Sequence, residues 1–328
     1  RYKKYLHGVV INKFRGDPTL LAPGIRQIEE LTGVPVLGVL PYLHDLQIEE
    51  EDSLGLEKTK NGAIKPVLDV VVIRLPRISN FTDFLAIEND EGIELRYVKS
   101  VSEIGNPDLV IIPGTKNTRS DLQWLWERGL AEIISGMAAE GTPVCGICGG
   151  YQMLGEQVAD PQGVEGEKGV SRGLAMLPLQ TVLAPQKTLA QVRGRLTGTM
   201  PFVAEPVEFQ GYEIHAGVTS VTETDNGNDN HRAMLTIRER QGQKVDEPGG
   251  WISKENSVFG CYVHGLFDAP GVRQSLWQWL CARNGKENTR IVINHAGSQL
   301  AFDRLADNME KYLSSDFFDC LLDQCAKP

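Results

Sequence analysis

Apolar residues along this chain follow two alternating rhythms. Continuous β-branched runs are separated by segments whose apolar positions recur every three or four residues. "HGVVINKF" (7–14) reads as a strand ending at a turn, "TLLAPGIRQIEELTG" (19–33) as a helix stopped at Gly33, and "VPVLGVLPY" (34–42) as a second strand. That order is a β-α-β unit and implies parallel pairing. An acidic, helix-prone connector (44–62) follows, and a domain boundary is expected near Gly62. "VLDVVVIRL" (67–75) opens a second series, with strands at 92–100, 107–114 and 142–148 and a helix over roughly 120–140. Runs of this kind fit a mostly parallel sheet covered by helices on both sides, an α/β fold.

From about residue 170 the pattern changes to shorter, alternating strands, "TLAQVRGRLTG", "FQGYEIHAG", "RAMLTIRE" and "SVFGCYVHGLF". The C-terminal "QLAFDRLADNMEKYLSSDFFDCLLDQ" is an amphipathic helical pair by its spacing, and "TDNGNDNH" (224–231) is a polar loop. There is no internal repeat.

Composition narrows this little. The 328 residues, 41% apolar and 23% charged, suit two soluble domains or one large domain with an appendage. No apolar run reaches the roughly 20 residues of a membrane span, and the start has no signal-peptide pattern. A net charge of −10 argues against nucleic-acid binding. The six cysteines are scattered, so a reduced, cytoplasmic protein is expected, with no membrane partner.

"VCGICGGYQMLG" (144–155) carries the candidate chemistry. A metal clip would need a second pair of soft ligands, and Cys261, Cys281, Cys320 and Cys325 stand apart from one another, so no metal site is expected. Cys145 falls inside the strand and is assigned to the core. Cys148 ends the strand, with glycine on both sides and a helix behind it. Glycine neighbours allow the strained strand-to-helix turn that presents a nucleophile. The N–H groups beyond the turn favour a thiolate and can hold an oxyanion. A thiolate nucleophile needs a base. His7, His44, His231 and His295 lie near loops or edges. His264 and His215 both end strands beside glycine or alanine, and spacing leaves them nearly tied.

The motifs "PGTKNT" (113–118), "GICGGYQMLG" (146–155), "GYEIHAG" (211–217) and "CYVHGLF" (261–267), with "LPRISNFTDF" (75–84), occur in the order found in the cobyric acid synthase-type class I glutamine amidotransferase family. The chain resembles that family over nearly its whole length. The resemblance implies a class I amidotransferase-like domain over 63–282 and a C-terminal helical segment over 283–328 packing on it. Residues 1–62 are similar to the C-terminal part of a P-loop-type, dethiobiotin synthetase-like ATP-binding domain plus its connector. No G-x-x-x-x-G-K-[ST] loop is present, so a portion of a longer synthetase is expected.

By position, Cys148 matches the family's nucleophile and His264 its base. Gly114, Gly149 and Gln152 match the oxyanion and glutamine-binding positions. Many class I members carry Glu two residues after the histidine, where this chain has Leu266, so the orienting carboxylate comes from elsewhere or is absent; Glu213 is one candidate, with His215 beside it. Arg77, Asn80, Lys116 and Asn117 are expected toward the acceptor, together with Arg74 and Arg119, and Asn12 and Lys13 toward the nucleotide. The implied reaction is glutamine-dependent amidation of peripheral carboxylates of the corrinoid adenosylcobyrinic acid a,c-diamide. ATP and Mg2+ would serve as co-substrate, the ATP domain would act in cis or in trans, and no cofactor is bound covalently. The alternatives are an amidotransferase for another acceptor (cobyrinate or a cell-wall lipid) and a non-catalytic binding module.

Overall fold

The computed structural model describes residues 6–43, 66–196, 200–203, 205–222, 231–287, 289, 291–294 and 297–319. The expected connector, the boundary near Gly62 and all but His231 of the loop at 224–231 lie outside them. The chain divides into two units, one formed by 1–49 with 296–328 and the other by 50–295.

In the first unit, β1 (Val9–Phe14) pairs in parallel with β2 (Val36–Pro41), and α1 (Ala22–Thr32) connects them, the β-α-β order expected. Asp17 accepts from the Thr19 N–H at 2.9 Å ahead of the helix, and Gly33 closes it at φ 59°, a left-handed turn glycine adopts without strain. The C-terminal helix α8 (Gly297–Tyr312) belongs to this unit, and Leu313 bridges to Gly38 on β2. A side chain at position 38 would come within 2.5 Å of the Tyr312 carbonyl, so glycine permits this approach. The segment expected over 283–328 is therefore divided. Residues near 292 pair with Glu91 in the second unit, whereas α8 packs on β2.

The second unit holds a twelve-stranded sheet. Its parallel half runs β4 (Ile93–Val98), β3 (Leu68–Ile73), β5 (Leu109–Ile112), β6 (Val144–Ile147), β13 (Val258–Cys261). β3, β5 and β6 are almost wholly buried because α2 (Leu85–Asn89), α3 (Val101–Ile104), α4 (Thr118–Glu127), α5 (Leu130–Ala139) and α7 (Pro270–Arg283) belong to the same layered half. The helix expected over 120–140 is two helices, since Gly129 at φ 68° turns the chain between α4 and α5. Beyond β13 the sheet becomes antiparallel: β12 (Gln243–Ser253), β11 (His231–Arg240), β9 (Leu179–Leu196), β10 (Val207–Val221) and β14 (Val263–His264). β7 (Gln157–Asp160) and β8 (Gly169–Arg172) branch from β9, and α6 (Gly149–Leu154) follows β6. β13 and β14 are almost contiguous in the chain yet occupy the two ends of the antiparallel run, so β9–β14 curl around an apolar interior. Among the described residues no helix is long and apolar enough to cross a membrane.

Candidate active site

The chain turns sharply where β6 meets α6. Cys148 sits at φ 50°, ψ −107°, a conformation rare for a residue with a side chain. Neighbouring glycines make room for it. A Cβ on Gly150 would lie 1.9 Å from the Ile112 carbonyl, and one on Gly149 would lie 2.7 Å from the Thr115 methyl. The "PGTKNT" loop after β5 therefore presses directly on the elbow. The Cys148 N–H donates to Cys261 O at 2.9 Å, and its thiol donates to Ile214 O at 3.4 Å. The sulfur is held at a 7% exposed position beside β10.

β10 pairs with β14 with Tyr212 opposite His264, and the two rings stack at 5.2 Å. His264 is fully buried, and Gly114 lies against its ring: a Cβ there would meet Cε1 at 3.1 Å. Nδ1 faces Asp83 Oδ2 at 2.7 Å, while Asp83 Oδ1 accepts from the Gly265 N–H at 2.8 Å. This carboxylate fixes both the imidazole and the turn after it. Asp83 lies in a short 3-10 turn, Phe81–Phe84, entered through Asn80 at φ 51°. Nε2 is buried and makes no hydrogen bond of ordinary geometry, and Cys148 is the other side chain that acts on the ring. Burial alone would lower the imidazole pKa. The bond to Asp83 and the interaction with Cys148 outweigh it and push it up to about 10. The ring thus holds a proton at neutral pH.

The carboxylate that meets His264 is Asp83 and not Glu213. Glu213 faces away from His264 in register, opposite Val263, and its carboxylate pairs with the Arg240 guanidinium. His215 is near but differently employed. Its ring stacks on Tyr262 at 3.7 Å, with Nδ1 against Gly217 O at 3.1 Å. Burial, helped by Arg240 and His264, pushes its pKa down to about 4, so it stays neutral where His264 is charged.

Several other expected contacts are taken up by the fold. The Gln152 side chain donates to Ala216 O at 3.2 Å and Tyr262 Oη at 3.1 Å and accepts from Thr118 Oγ1 at 2.9 Å, so it ties elements together behind the elbow. Asn117 caps α4 by accepting from Ser120 N–H, and its amide donates to Glu165 O. Arg119 is engaged with Asp160, Ser171 and Glu167. Arg77 pairs with buried Asp121 at 3.0 Å but stays half exposed, and Lys116 is exposed. Asn12 and Lys13 are exposed on β1 of the other unit. Cys145 and Cys261 are fully buried, and burial raises both thiol pKa values, Cys261 to about 12, as befits core residues. Among the described residues no three His, Cys, Asp or Glu side chains gather as a metal site.

A cysteine elbow at the carboxyl end of a parallel strand, in a sheet of this order, defines a glutamine amidotransferase-like α/β domain. The chain belongs to the CobB/CobQ-like glutamine amidotransferase family, whose domain matches residues 69–272. It is 42% identical to the cobyric acid synthase of Moorella thermoacetica over 310 residues, covering 93% of this chain and 59% of that protein. With the cobyric acid synthase of Pelotomaculum thermopropionicum it shares 41% identity over 325 residues, 97% of this chain and 61% of that protein. The chain therefore spans about three fifths of the length of these relatives. The structure of PurLQS from Thermotoga maritima aligns at 18% identity and a TM-score of 0.49, over 66% of this chain and 100% of that chain.

Proposed function

We propose that the second unit hydrolyses glutamine and supplies the ammonia for a cobyric acid synthase reaction. The Cys148 thiolate attacks the side-chain amide carbon, forming a C–S bond and an oxyanion. Backbone N–H groups at Gly149 and along the Gly114 loop are the donors assigned to that oxyanion, since developing charge needs dipoles already in place. His264 gives its Nε2 proton to the departing nitrogen, the C–N bond breaks, and ammonia leaves. Water then attacks the thioester carbon, His264 takes the water proton, the C–S bond breaks to restore the Cys148 thiolate, and glutamate is released. Asp83 holds Nδ1 and keeps the ring aimed at the sulfur.

The observation that carries this reading is the convergence of a strained cysteine with a buried imidazole fixed by a carboxylate, inside the family's domain. The relatives' name supports the acceptor. Ammonia would pass, shielded from water, to a peripheral carboxylate of adenosylcobyrinic acid a,c-diamide activated with ATP and Mg2+. Exposed Lys116 and half-exposed Arg77 are the cations we assign to acceptor carboxylates, with Asn80 between them in the chain; Asn12 and Lys13 are assigned to the nucleotide on the resemblance alone. Among the described residues Cys145, Cys148, Cys261 and Cys281 are free thiols, which suits a reducing cytoplasm.

The test is a diazo-ketone analogue of glutamine with peptide mass spectrometry, run beside ammonia release. Cys148 takes the label and Cys148→Ala releases no ammonia above background. An unlabelled Cys148, or undiminished glutamine turnover by Cys148→Ala, defeats the proposal.

A further inference from the structure

Asp83 and His264 come from two segments that also meet a second time, away from the reacting atoms. The Asp83 turn continues through α2 to Asp90. The His264 strand end continues through Gly265 and Leu266–Asp268 to α7, which carries Arg273. Arg273 and Asp90 are both 1% exposed. Arg273 Nε donates to Asp90 Oδ2 at 2.8 Å, and Trp277 Nε1 donates to the same oxygen at 2.8 Å. Arg273 Nη1 donates to the carbonyls of Phe267 and Asp268, and Nη2 donates to Asn294 O at 2.8 Å. Asp90 Oδ1 accepts from the Asn294 N–H at 2.9 Å. Between the two links, the Phe84 and Phe267 rings pack with centroids 6.5 Å apart.

We propose that Arg273 is a positioning residue for the Asp83–His264 pair. The inference rests on the glutaminase reading above. A guanidinium presents its N–H groups in one rigid plane, so a single side chain fixes the end of α2, the carbonyls just after His264 and the 294 backbone in one mutual geometry. A charge buried this deeply is kept only when its donors are matched, as they are here. The fork therefore sets the separation of the two segments whose other ends hold carboxylate against imidazole. Small displacements at a reacting centre are costly: about 1 Å is worth up to about a hundredfold. A lysine retains the charge opposite Asp90 but has one nitrogen, so it separates position from electrostatics.

The experiment compares wild type, Arg273→Lys, Asp83→Asn and the double variant in glutamine hydrolysis, with thermal melting and a pH profile for each. Arg273→Lys should melt cooperatively, lose roughly 10- to 100-fold in kcat and keep KM within about threefold. The alkaline limb of its activity should move to lower pH as the hold on the imidazole proton loosens. In the Asp83→Asn background the same change should cost less than about threefold, because no aligned pair remains to disturb. A folded Arg273→Lys with wild-type kcat and pH limb overturns the inference, and so does an equal loss in both backgrounds. If Arg273→Lys does not fold, Trp277→Phe, which removes one donor to Asp90, is read in the same cycle, and no loss or an additive loss overturns the inference. A wild-type chain that neither releases ammonia nor takes the diazo-ketone label brings down both readings; one that does both, with an additive cycle, brings down this one alone.

Discussion

The two halves of the site are built in different ways. The cysteine half is local: Gly146, Cys148, Gly149 and Gly150 fall within five consecutive positions at the end of β6 and the start of α6, and each glycine answers a specific close approach of neighbouring atoms. The histidine half is assembled at long range. Asp83 and His264 are 181 positions apart and meet only because β14 pairs with β10 while the Phe81–Phe84 turn reaches the same rim. Local strain is written in glycine spacing, whereas a carboxylate–imidazole pair is written in sheet pairing. Substitutions in the histidine half should therefore change rate and pH dependence while the protein stays folded, and substitutions in the elbow glycines should damage the fold as well.

The largest effect is expected at the histidines. His264→Ala should lower glutamine turnover by on the order of a thousandfold or more, as removal of a base usually does. His215→Ala should cost about tenfold or less, since its ring is packed on Tyr262 and stays neutral. Steady-state ammonia release decides between them, and the reverse order would mean that the thiol works with the other imidazole. Next comes Asp83→Asn, with a loss of about a hundredfold or more from a misheld tautomer, against less than about threefold for Glu213→Gln. Because the folded pKa of His264 is raised, the pair's contribution to stability is complete below the ordinary pKa of about 6.5 and is lost as pH rises through about 10. The wild-type advantage in denaturant midpoint over Asp83→Asn should therefore shrink over that window, and the alkaline limb of activity should fall in the variant. A limb that does not move would separate the carboxylate from the ring's titration.

This division also explains how far the sequence was legible. β3, β5 and β6 were readable because strands buried on both faces carry unbroken apolar runs, as in "VLDVVVIRL". The elbow was readable because glycines crowd one cysteine. β12 was missed: "KVDEPGG" looks like a turn, yet Pro248 pairs across to Thr236 and Gly249 to Leu235 within the strand. β9 and β10 run longer than expected, because the bulge between Ala216 and Val218 shifts the register without ending the pairing. Asp83 gave only a weak signal, one acid in "FTDF" without any periodicity tying it to a histidine. His215 and His264, nearly tied by spacing, differ in their surroundings: His264 meets Asp83 through Nδ1, whereas His215 packs on Tyr262.

Two glycine substitutions sharpen the comparison at its lower end. Gly150→Ala sets a methyl 1.9 Å from the Ile112 carbonyl, a backbone atom that cannot swing aside. A loss of about 2–4 kcal/mol is expected, with slower labelling of Cys148 as the elbow shifts. Wild-type melting would show that the loop after β5 yields more readily than its packing suggests.

Gly136→Ala should have the smallest effect and the opposite sign. Gly136 lies inside α5, away from the elbow, and a Cβ there would meet nothing within 4 Å. Helical backbone accepts alanine without strain, and glycine leaves the unfolded chain more freedom to lose. Alanine should therefore add up to about 1 kcal/mol, seen as a melting temperature a few degrees higher, with ammonia release unchanged. The two glycines stand only fourteen positions apart, so opposite signs would tie the elbow's sensitivity to its contact with Ile112 and not to glycine loss in this half of the sheet. A destabilised Gly136→Ala would undo that distinction.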